Sequence, residues 1–313
     1  MKKISIIIPA YNEEKNIIPI YKEIAKAFDI LEAGYIHEIF FINDGSVDTT
    51  AGEIKKLVQK DKMVKYIEFS RNFGKEMATS AGLNHCSGDA CIMIDADSQH
   101  PAELISEFIK KWEQGFEVVI GVRKKSKSDS WPKKLGSQIF YKILNKISDI
   151  EVVPGSTDFR LLDRKVINEF NRFTETNRMT RGLIDWLGFK RSFIYFEADD
   201  RLNGTANYGF WELVKLAMVG FVSLSFFPLK LAGYFGVLIS SLSGIAGLYI
   251  LIGKYIFHLK FASTFSDAEN LAIFIVFLVG IILTFLGLIS LYIANIHSEV
   301  VNRPMYVVRE KEI

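Results

Sequence analysis

Cysteine is scarce in this chain, which has two cysteines, Cys86 and Cys91, among 313 residues. Their spacing matches neither a CxxC redox pair nor a zinc knuckle. A disulfide framework needs more cysteines than these. The sequence therefore favours a reducing, cytoplasmic setting and excludes the small disulfide-rich class of secreted proteins.

Strong net charge is also missing. The chain has 38 Lys and Arg against 36 Asp and Glu, a net charge of +2, and its isoelectric point is near 8.3. Nucleic-acid binding usually requires a concentrated basic patch, and the sequence contains no block of Lys and Arg. Nucleic acid is therefore not expected as a partner.

Charge is absent altogether from two long stretches, 231–253 and 270–296. Each meets the length of about 20 apolar residues that a bilayer-spanning helix needs. We expect two transmembrane helices that form a hairpin over 230–298. A pair of helices buried in a soluble core is the alternative, although charge-free runs of this length are uncommon there.

The tail at 299–313 carries Arg303, Arg309 and Lys311. Positive charge beside a membrane span favours the cytoplasmic side. A hairpin returns the chain to the side from which it entered, so both termini and the domain at 1–209 are expected in the cytoplasm. The sequence thus predicts a multi-pass protein of the cytoplasmic membrane.

The first 209 residues alternate short apolar runs with helical patterns. Strands and helices that alternate in this way predict an α/β domain with a mostly parallel central sheet and helices on both faces. The expected strands are 4–8, 39–42, 65–69, 91–94 and 117–121, and the expected helices are 13–30, 48–60 and 101–114.

Two carboxylates, Asp95 and Asp97, directly follow the apolar run 91–94. Side chains two residues apart in an extended segment point the same way, so both can reach one cation. Buried carboxylates are costly unless they are paired, and hard oxygen ligands suit Mg²⁺ or Mn²⁺ bound together with substrate phosphates. Ligands of parallel sheets bind at the carboxyl ends of the strands. The pair therefore predicts a metal and diphosphate site.

The glycine-rich phosphate loops GxGxxG and GxxxxGK[ST] are both absent from the sequence. The common phosphate-binding loops of dinucleotide-binding and P-loop proteins are therefore excluded. A nucleotide would have to be held by carboxylates and by loop backbone instead.

Seven motifs, in order from residue 6 to residue 209, carry a resemblance to a known family. They are IIIPAYNEE at 6–14, INDGSVDTT at 42–50, FSRNFGKE at 69–76, DADSQHP at 95–101, TDFRLLDRKV at 157–166, MTRGLIDWLGF at 179–189 and RLNGTANYG at 201–209. With them the chain resembles the inverting family-2 glycosyltransferases that use polyisoprenyl phosphates. The resemblance implies a GT-A-type nucleotide-sugar-binding domain.

The resemblance also implies a role for each matching residue. The residues expected at the donor nucleotide are Pro9, Tyr11, Glu13, Asp44 and Asp95. The residues expected at the metal are Asp95, Asp97 and Gln99. The residues expected to be catalytic are Asp158, near the sugar, and Arg123 and Arg201, near phosphate. The residues expected at the acceptor phosphate are Lys133, Lys134 and Ser137.

Two positions depart from the family pattern. Asn43 stands where relatives usually have a first aspartate before Asp44, so only Asp44 inherits the nucleotide role. Relatives commonly have Ser-Lys-Tyr after the glycine at 204, whereas this chain has Thr-Ala-Asn-Tyr at 205–208. A phosphate-binding cation is thus missing from that loop, which bears on acceptor grip and sugar choice.

The activity implied is transfer of a hexose from a nucleotide sugar to a polyisoprenyl phosphate with inversion, for cell-envelope glycan modification. UDP-glucose or UDP-N-acetylglucosamine is the expected donor and undecaprenyl phosphate the expected acceptor. GDP-mannose as donor and a non-catalytic nucleotide-sugar-binding scaffold remain alternatives. A processive polysaccharide synthase is disfavoured because its QxxRW signature is absent.

Residues 210–229 join the domain to the apolar stretches. An amphipathic helix over 210–226 is expected to lie on the membrane surface, where it would bring the domain close to a lipid phosphate; an ordinary packing helix is the alternative. Small residues along the first stretch favour helix association and hence a homo-oligomer; they are Gly236, Ser240, Ser243 and Gly247.

Overall fold

The structure is a computed structural model, and it describes residues 1–31, 34–124, 153–175, 178–197, 267–301 and 303–313, together with Ile252. The chain divides into two compact units, Met1–Gly209 with Asn302–Ile313, and Phe210–Val301. Several predictions lie outside the described residues. They concern Lys133, Lys134, Ser137, Arg201, the loop at 205–208, the segment 210–229, and the stretch 231–253 apart from Ile252.

The described strands and helices alternate along most of the first unit. The strands are β1 (Lys2–Ala10), β2 (Tyr35–Asn43), β3 (Val64–Phe69), β4 (Ala90–Met93), β5 (Val118–Arg123), β6 (Ser156–Asp163), β7 (Arg191–Phe196) and β8 (Val308–Glu312). The helices of this unit are α1 (Ile17–Asp29), α2 (Thr50–Lys60), α3 (Lys75–His85), α4 (Ile105–Glu113), α5 (Arg164–Phe170) and α6 (Thr180–Trp186), and a 3-10 turn at Ala102–Leu104 precedes α4. The five predicted strands and three predicted helices are all present within a few residues.

All eight strands form one sheet in the order β7-β5-β6-β4-β1-β2-β3-β8. β1 pairs in parallel with β2 and β4, β2 in parallel with β3, and β5 in parallel with β7. β6 is antiparallel to both of its neighbours, and β8 is antiparallel to β3. The sheet is therefore mostly parallel, as the sequence predicts.

The central strands are buried on both faces, which explains their continuous apolar runs. Ile6 and Ile8 of β1 pack on one face with residues from α1 and α4, and Ile7 packs on the other face with residues from α3 and α5. α3 approaches β1 closely because it offers small residues: a Cβ at Gly82 would lie 2.4 Å from the side chain of Ile7. This close packing fixes the start of α3 relative to the end of β1.

The C-terminal residues belong to the sheet rather than to a free tail. β8 forms its outer strand beside β3, Arg309 Nη1 lies 3.2 Å from Glu68 Oε1, and the ring of Tyr306 stacks on Phe69 with centroids 4.8 Å apart. The segment VREKE carries consecutive charged residues of alternating sign, which suit an edge strand that faces solvent. The sequence predicts 299–313 only as a tail and gives no indication of this strand.

The second unit contains one described long helix, α7 (Asp267–Val301). It includes the charge-free stretch 270–296, and large aliphatic side chains on it are exposed, among them Leu271, Ile282 and Ile293. Among the described residues, no helix combines the length and the hydropathy needed to cross a membrane. The two predicted membrane helices therefore stay predictions.

Candidate active site

The carboxyl ends of β1, β2 and β4 meet at one edge of the sheet. Ala10 lies opposite Asn43 in the β1–β2 register, and Ile7 lies opposite Met93 in the β1–β4 register. The segments that follow these three strands therefore emerge side by side. They carry Tyr11, Glu13, Asp44, Asp95 and Asp97, and Pro9 is the last residue but one of β1, so the register brings together residues predicted for the donor and the metal.

The segments after β1 and β2 are joined by hydrogen bonds. The Asn12 N–H donates to Ser46 Oγ at 3.0 Å, and the Glu13 N–H donates to Thr50 Oγ1 at 2.9 Å. Asn12 adopts a positive φ of 57°, which Asn tolerates better than most residues. Tyr11 is 44 % exposed. The two segments thus form a joined rim, and the roles of Tyr11 and Glu13 toward a nucleotide stay predictions.

Asp44 has a structural role that the sequence does not predict. Its side chain is buried, and its two oxygens accept the N–H groups of Phe73 at 2.7 Å and Gly74 at 2.8 Å. Burial raises the pKa of this carboxyl above its ordinary value, against the effect of these hydrogen bonds. Asp44 therefore fixes the backbone immediately before α3, and contact with a donor nucleotide stays a prediction for it.

Asp158 is brought to the same edge by the antiparallel direction of β6. Met93 of β4 lies opposite Arg160, so the chain continues past Met93 toward Asp95 while β6 begins at Ser156 beside it. Asp95 and Asp158 are 25 % and 24 % exposed. The structure thus joins the predicted metal carboxylate with the predicted catalytic carboxylate at one place.

Two cations hold Asp158. Lys75 Nζ lies 2.7 Å from Asp158 Oδ2, and Arg181 Nε lies 2.8 Å from Asp158 Oδ1. Burial alone would raise the pKa of Asp158, but the charges of Lys75 and Arg181 outweigh it and hold the pKa below its ordinary value. Asp158 is therefore an ionised carboxylate at neutral pH.

Lys75 also contacts the predicted metal site, because its Nζ lies 2.5 Å from Asp95 Oδ1. Burial opposes the charge of Lys75, but the carboxylates of Asp95 and Asp158 outweigh it and raise the pKa of the ammonium group. Lys75 is the first residue of α3, in the motif FSRNFGKE. No role is predicted for this lysine from the sequence.

The donor atoms fit a divalent cation. Asp95, Asp97 and His100 each offer one ligand atom, and these atoms lie within 4.8 Å of one another. Among the described residues His100 Nδ1 finds no hydrogen-bond partner, and it lies 3.9 Å from Asp95 Oδ2. Carboxylate oxygens with one imidazole nitrogen suit Mn²⁺ or Mg²⁺. His100 lies in the motif DADSQHP, but the sequence does not predict it as a ligand.

The ring of His100 is held in an apolar setting. It packs against Phe159 and Phe196, with centroid distances of 5.3 Å and 5.8 Å. Burial lowers the pKa of His100, which keeps the imidazole neutral and able to bind a metal. Gln99 donates its backbone N–H to Asp97 Oδ1 at 3.2 Å, and its predicted metal role stays a prediction.

Helix α6 delivers Arg181 and is itself anchored at two places. Its first N–H, on Thr180, donates to Glu76 Oε2 at 2.9 Å, and buried Arg160 holds Asp185 with Nη1 3.1 Å from Oδ1. Lys75 thus contacts Asp158, and the next residue, Glu76, contacts α6. The motif MTRGLIDWLGF contains both Arg181 and Asp185, which explains its pattern in structural terms.

Arg123 is exposed at the end of β5, where its backbone N–H donates to Gly155 O at 2.9 Å. Its predicted contact with phosphate stays a prediction. The sequence predicts site roles for Asp95, Asp97 and Asp158, which the structure brings to one edge of the sheet, and it predicts no role for the side chains that surround them. Those are Lys75, His100 and Arg181, and each one lies inside a quoted motif.

Comparison with known proteins agrees with this arrangement. The model of the family described as Glycosyl transferase family 2 matches residues 5–170. The uncharacterized glycosyltransferase YkcC of Bacillus subtilis is 40 % identical, over 98 % of this chain and 93 % of the relative. The SfII prophage-derived bactoprenol glucosyl transferase of Shigella flexneri is 36 % identical, over 98 % of each. The prophage bactoprenol glucosyl transferase homolog of Escherichia coli is also 36 % identical over 98 % of each.

The matched region contains most of β1, all of β2 to β4 with the two carboxylates after β4, and also Asp158 of β6. The chain belongs to glycosyl transferase family 2.

Proposed function

We propose that this protein transfers a glucosyl group from a nucleotide sugar to a polyprenyl phosphate, with undecaprenyl phosphate as the lipid. The observation that carries the proposal is the joining of Asp95, Asp97 and His100 with the ionised Asp158 at one edge of the sheet. Relatives named bactoprenol glucosyl transferase, matched over nearly their full length, support the choice of sugar and lipid.

The chemistry is one displacement at the anomeric carbon. A phosphate oxygen of the lipid forms the new bond to this carbon, the bond to the donor diphosphate breaks, and the nucleoside diphosphate leaves with the electron pair. One displacement inverts the configuration of the sugar. A phosphate monoester is already ionised at neutral pH, so the attacking oxygen needs no strong base, and catalysis depends on orientation and on charge stabilisation.

The residues at the site then have separate roles. Asp95 and Asp97, with His100, would hold Mg²⁺ or Mn²⁺, which when bound supplies positive charge to the leaving diphosphate. Asp158, kept ionised by its two cations, accepts hydrogen bonds from the sugar hydroxyls and so orients the sugar. Tyr11 and Glu13 on the rim are suited to the base and ribose of the donor.

Membrane anchoring is part of the proposal. The charge-free stretches 231–253 and 270–296 support it, as do the exposed aliphatic side chains along α7. The proposed orientation places both termini and the catalytic domain in the cytoplasm, where nucleotide sugars are made. We expect the full chain to stay in the membrane pellet after an alkaline carbonate wash; recovery in the supernatant would contradict the anchoring.

The test of function is transfer of radiolabel from a panel of UDP- and GDP-sugars into solvent-extractable lipid. The full chain in detergent would receive undecaprenyl phosphate and Mn²⁺ or Mg²⁺, with a parallel sample in chelator. We expect chelator-sensitive labelling from UDP-glucose. Asp158→Asn should retain donor binding and lose most transfer.

The other outcomes separate the alternatives. Labelling from UDP-N-acetylglucosamine or GDP-mannose would keep the reaction class and replace the sugar. Donor binding without labelling from any donor would contradict the enzyme and favour a nucleotide-sugar-binding scaffold. Labelling that resists chelator would contradict the metal role of Asp95 and Asp97.

A further inference from the structure

The ammonium group of Lys75 lies between two carboxylates that the proposed function uses separately. It is 2.5 Å from Asp95 Oδ1 and 2.7 Å from Asp158 Oδ2, and the side chain of Lys75 is 45 % exposed. Local structure does not account for this position, because a cation at the first residue of a helix faces the unfavourable end of the helix dipole. The two carboxylates are therefore what holds Lys75 here.

The backbone on each side of Lys75 is fixed. The N–H groups of Phe73 and Gly74, just before it, donate to the buried carboxylate of Asp44. Glu76, just after it, accepts the N–H of Thr180 at 2.9 Å. Lys75 thus extends from a rigid base, and its flexible part is the side chain alone.

A divalent cation at Asp95 would compete with Lys75 for the same group. Lys75 contacts Oδ1 of Asp95, while Oδ2 is the oxygen that lies toward His100. A metal ion at Asp95 and an ammonium group at hydrogen-bond distance from the same carboxylate repel each other strongly at such short range. Asp158, by contrast, has Arg181 as a second cation.

We propose that Lys75 is a positioning residue that serves as the counter-ion of the metal site. It neutralises Asp95 before a divalent cation binds, gives up Asp95 to that cation, and keeps its contact with Asp158. The inference rests on the proposed function for the presence of the metal. Its consequence is that Lys75 weakens metal binding while it supports the orientation of Asp158.

The test is a titration of the full chain with Mn²⁺ alone, followed by electron paramagnetic resonance, without donor or lipid. We expect Lys75→Met to lower the dissociation constant for Mn²⁺ about tenfold, because competition and repulsion are removed. Lys75→Arg, which keeps the charge, should stay close to wild type. Lys56→Met is the matched control: it removes a lysine that pairs with Glu53 at 2.6 Å on the surface, and it should leave the dissociation constant unchanged.

A purely structural lysine would give the opposite sign, because loss of local order weakens a metal site. Mn²⁺ affinity that is unchanged or weaker in Lys75→Met would therefore overturn the proposal. Absence of Mn²⁺ binding in both wild type and Lys75→Met would also overturn it, while transfer of labelled sugar in chelator would show separately whether the enzyme works without metal.

A stability measurement covers the case in which Lys75→Met folds poorly. Without Lys75 or metal, Asp95 and Asp158 lose a shared cation, so the melting temperature in chelator should fall. Saturating Mn²⁺ should then raise the melting temperature of Lys75→Met by more than it raises that of wild type. An equal or smaller rise would contradict the exchange of Lys75 for metal. At saturating Mn²⁺ we expect turnover of Lys75→Met to be reduced about tenfold or more, since Asp158 keeps only Arg181.

Discussion

The carboxylates at the two edges of the sheet are paired in different ways. At the amino edge, Glu38 on β2 is 4 % exposed and receives Lys3 Nζ at 2.6 Å, Ser5 Oγ at 2.6 Å and the Ser87 N–H at 2.8 Å. At the carboxyl edge, Asp95 and Asp158 share Lys75, whose side chain is half exposed. At the amino edge, several donors pair with the charge of Glu38. At the carboxyl edge, the shared partner of Asp95 and Asp158 is a lysine side chain that is able to move away.

This difference distinguishes a carboxylate that stabilises the fold from carboxylates that can bind a ligand. A buried carboxylate with several fixed donors costs a great deal to disrupt and offers nothing to a ligand. A carboxylate such as Asp95, held by one long, flexible lysine, can exchange that lysine for a metal ion. The carboxyl edge is also where the register gathers the loops of β1, β2 and β4.

The largest expected effect on stability comes from the amino edge. Glu38→Gln keeps the shape of the side chain but leaves Lys3 without its charge partner, so we expect the free energy of unfolding to fall by about 2–3 kcal/mol. Chemical denaturation of the full chain in detergent measures this. The same variant should bind Mn²⁺ as wild type does, and altered binding would contradict the separation of the two edges.

The largest expected effect on activity comes from the carboxyl edge. Asp95→Asn removes a ligand charge from the site, so we expect the rate of sugar transfer to fall about 100-fold and Mn²⁺ binding to weaken. The free energy of unfolding in chelator should change little, since Asp95 gives up one exposed cation. Glu113→Gln, which weakens a surface pair with Lys2 at 2.9 Å, is the matched control for transfer. A large loss of stability in Asp95→Asn would contradict the comparison.

Acid should reduce the difference between wild type and Glu38→Gln. Burial works to raise the pKa of Glu38, but the hydrogen bonds from Lys3, Ser5 and Ser87 outweigh it and lower the pKa below its ordinary 4.5. A carboxyl with a lowered pKa in the folded state stabilises the protein above its ordinary pKa and loses this contribution as the pH falls through the lowered value. We therefore expect the stability curves of the two proteins to converge below about pH 4. Curves that stay parallel from pH 7 to pH 3 would show that the charge of Glu38 contributes nothing.

The smallest effect is expected for a pair on the surface. Lys56 and Glu53 lie 2.6 Å apart on α2, and the side chain of Lys56 is 65 % exposed. Lys56→Met should change the free energy of unfolding by no more than about 0.5 kcal/mol, because water screens such pairs. A thermal melt of the full chain checks this, and a loss similar to that of Glu38→Gln would mean that burial does not explain the difference between the edges.

The sequence predicts the central strands and the metal carboxylates because both depend on local pattern. Apolar runs mark β1 to β5, and two aspartates after β4 mark the site. α3 escapes prediction because its buried residues include Ala78, Thr79, Ser80 and Gly82, which are small or polar and give no helical stripe. β6 escapes because buried Arg160 interrupts its apolar run, and β8 because it is a charged edge strand.

The side chains around the carboxylates escape for another reason. Lys75 and Asp158 are 83 residues apart in the chain, and only the packing of α3 on β1 and the antiparallel pairing of β6 with β4 bring them together. No local pattern encodes such a contact. The sequence shows which side chains are available for the site, but the tertiary structure decides which of them contact one another.

The central claim is that the carboxyl edge holds a divalent cation at Asp95 and Asp97. The most direct measurement is an anomalous difference map from crystals of the full chain grown with Mn²⁺ and UDP. The account predicts one peak beside the carboxylates of Asp95 and Asp97, with the Lys75 ammonium group moved off Asp95 and still on Asp158. A map without a peak there, in which Lys75 still bridges Asp95 and Asp158, would contradict it.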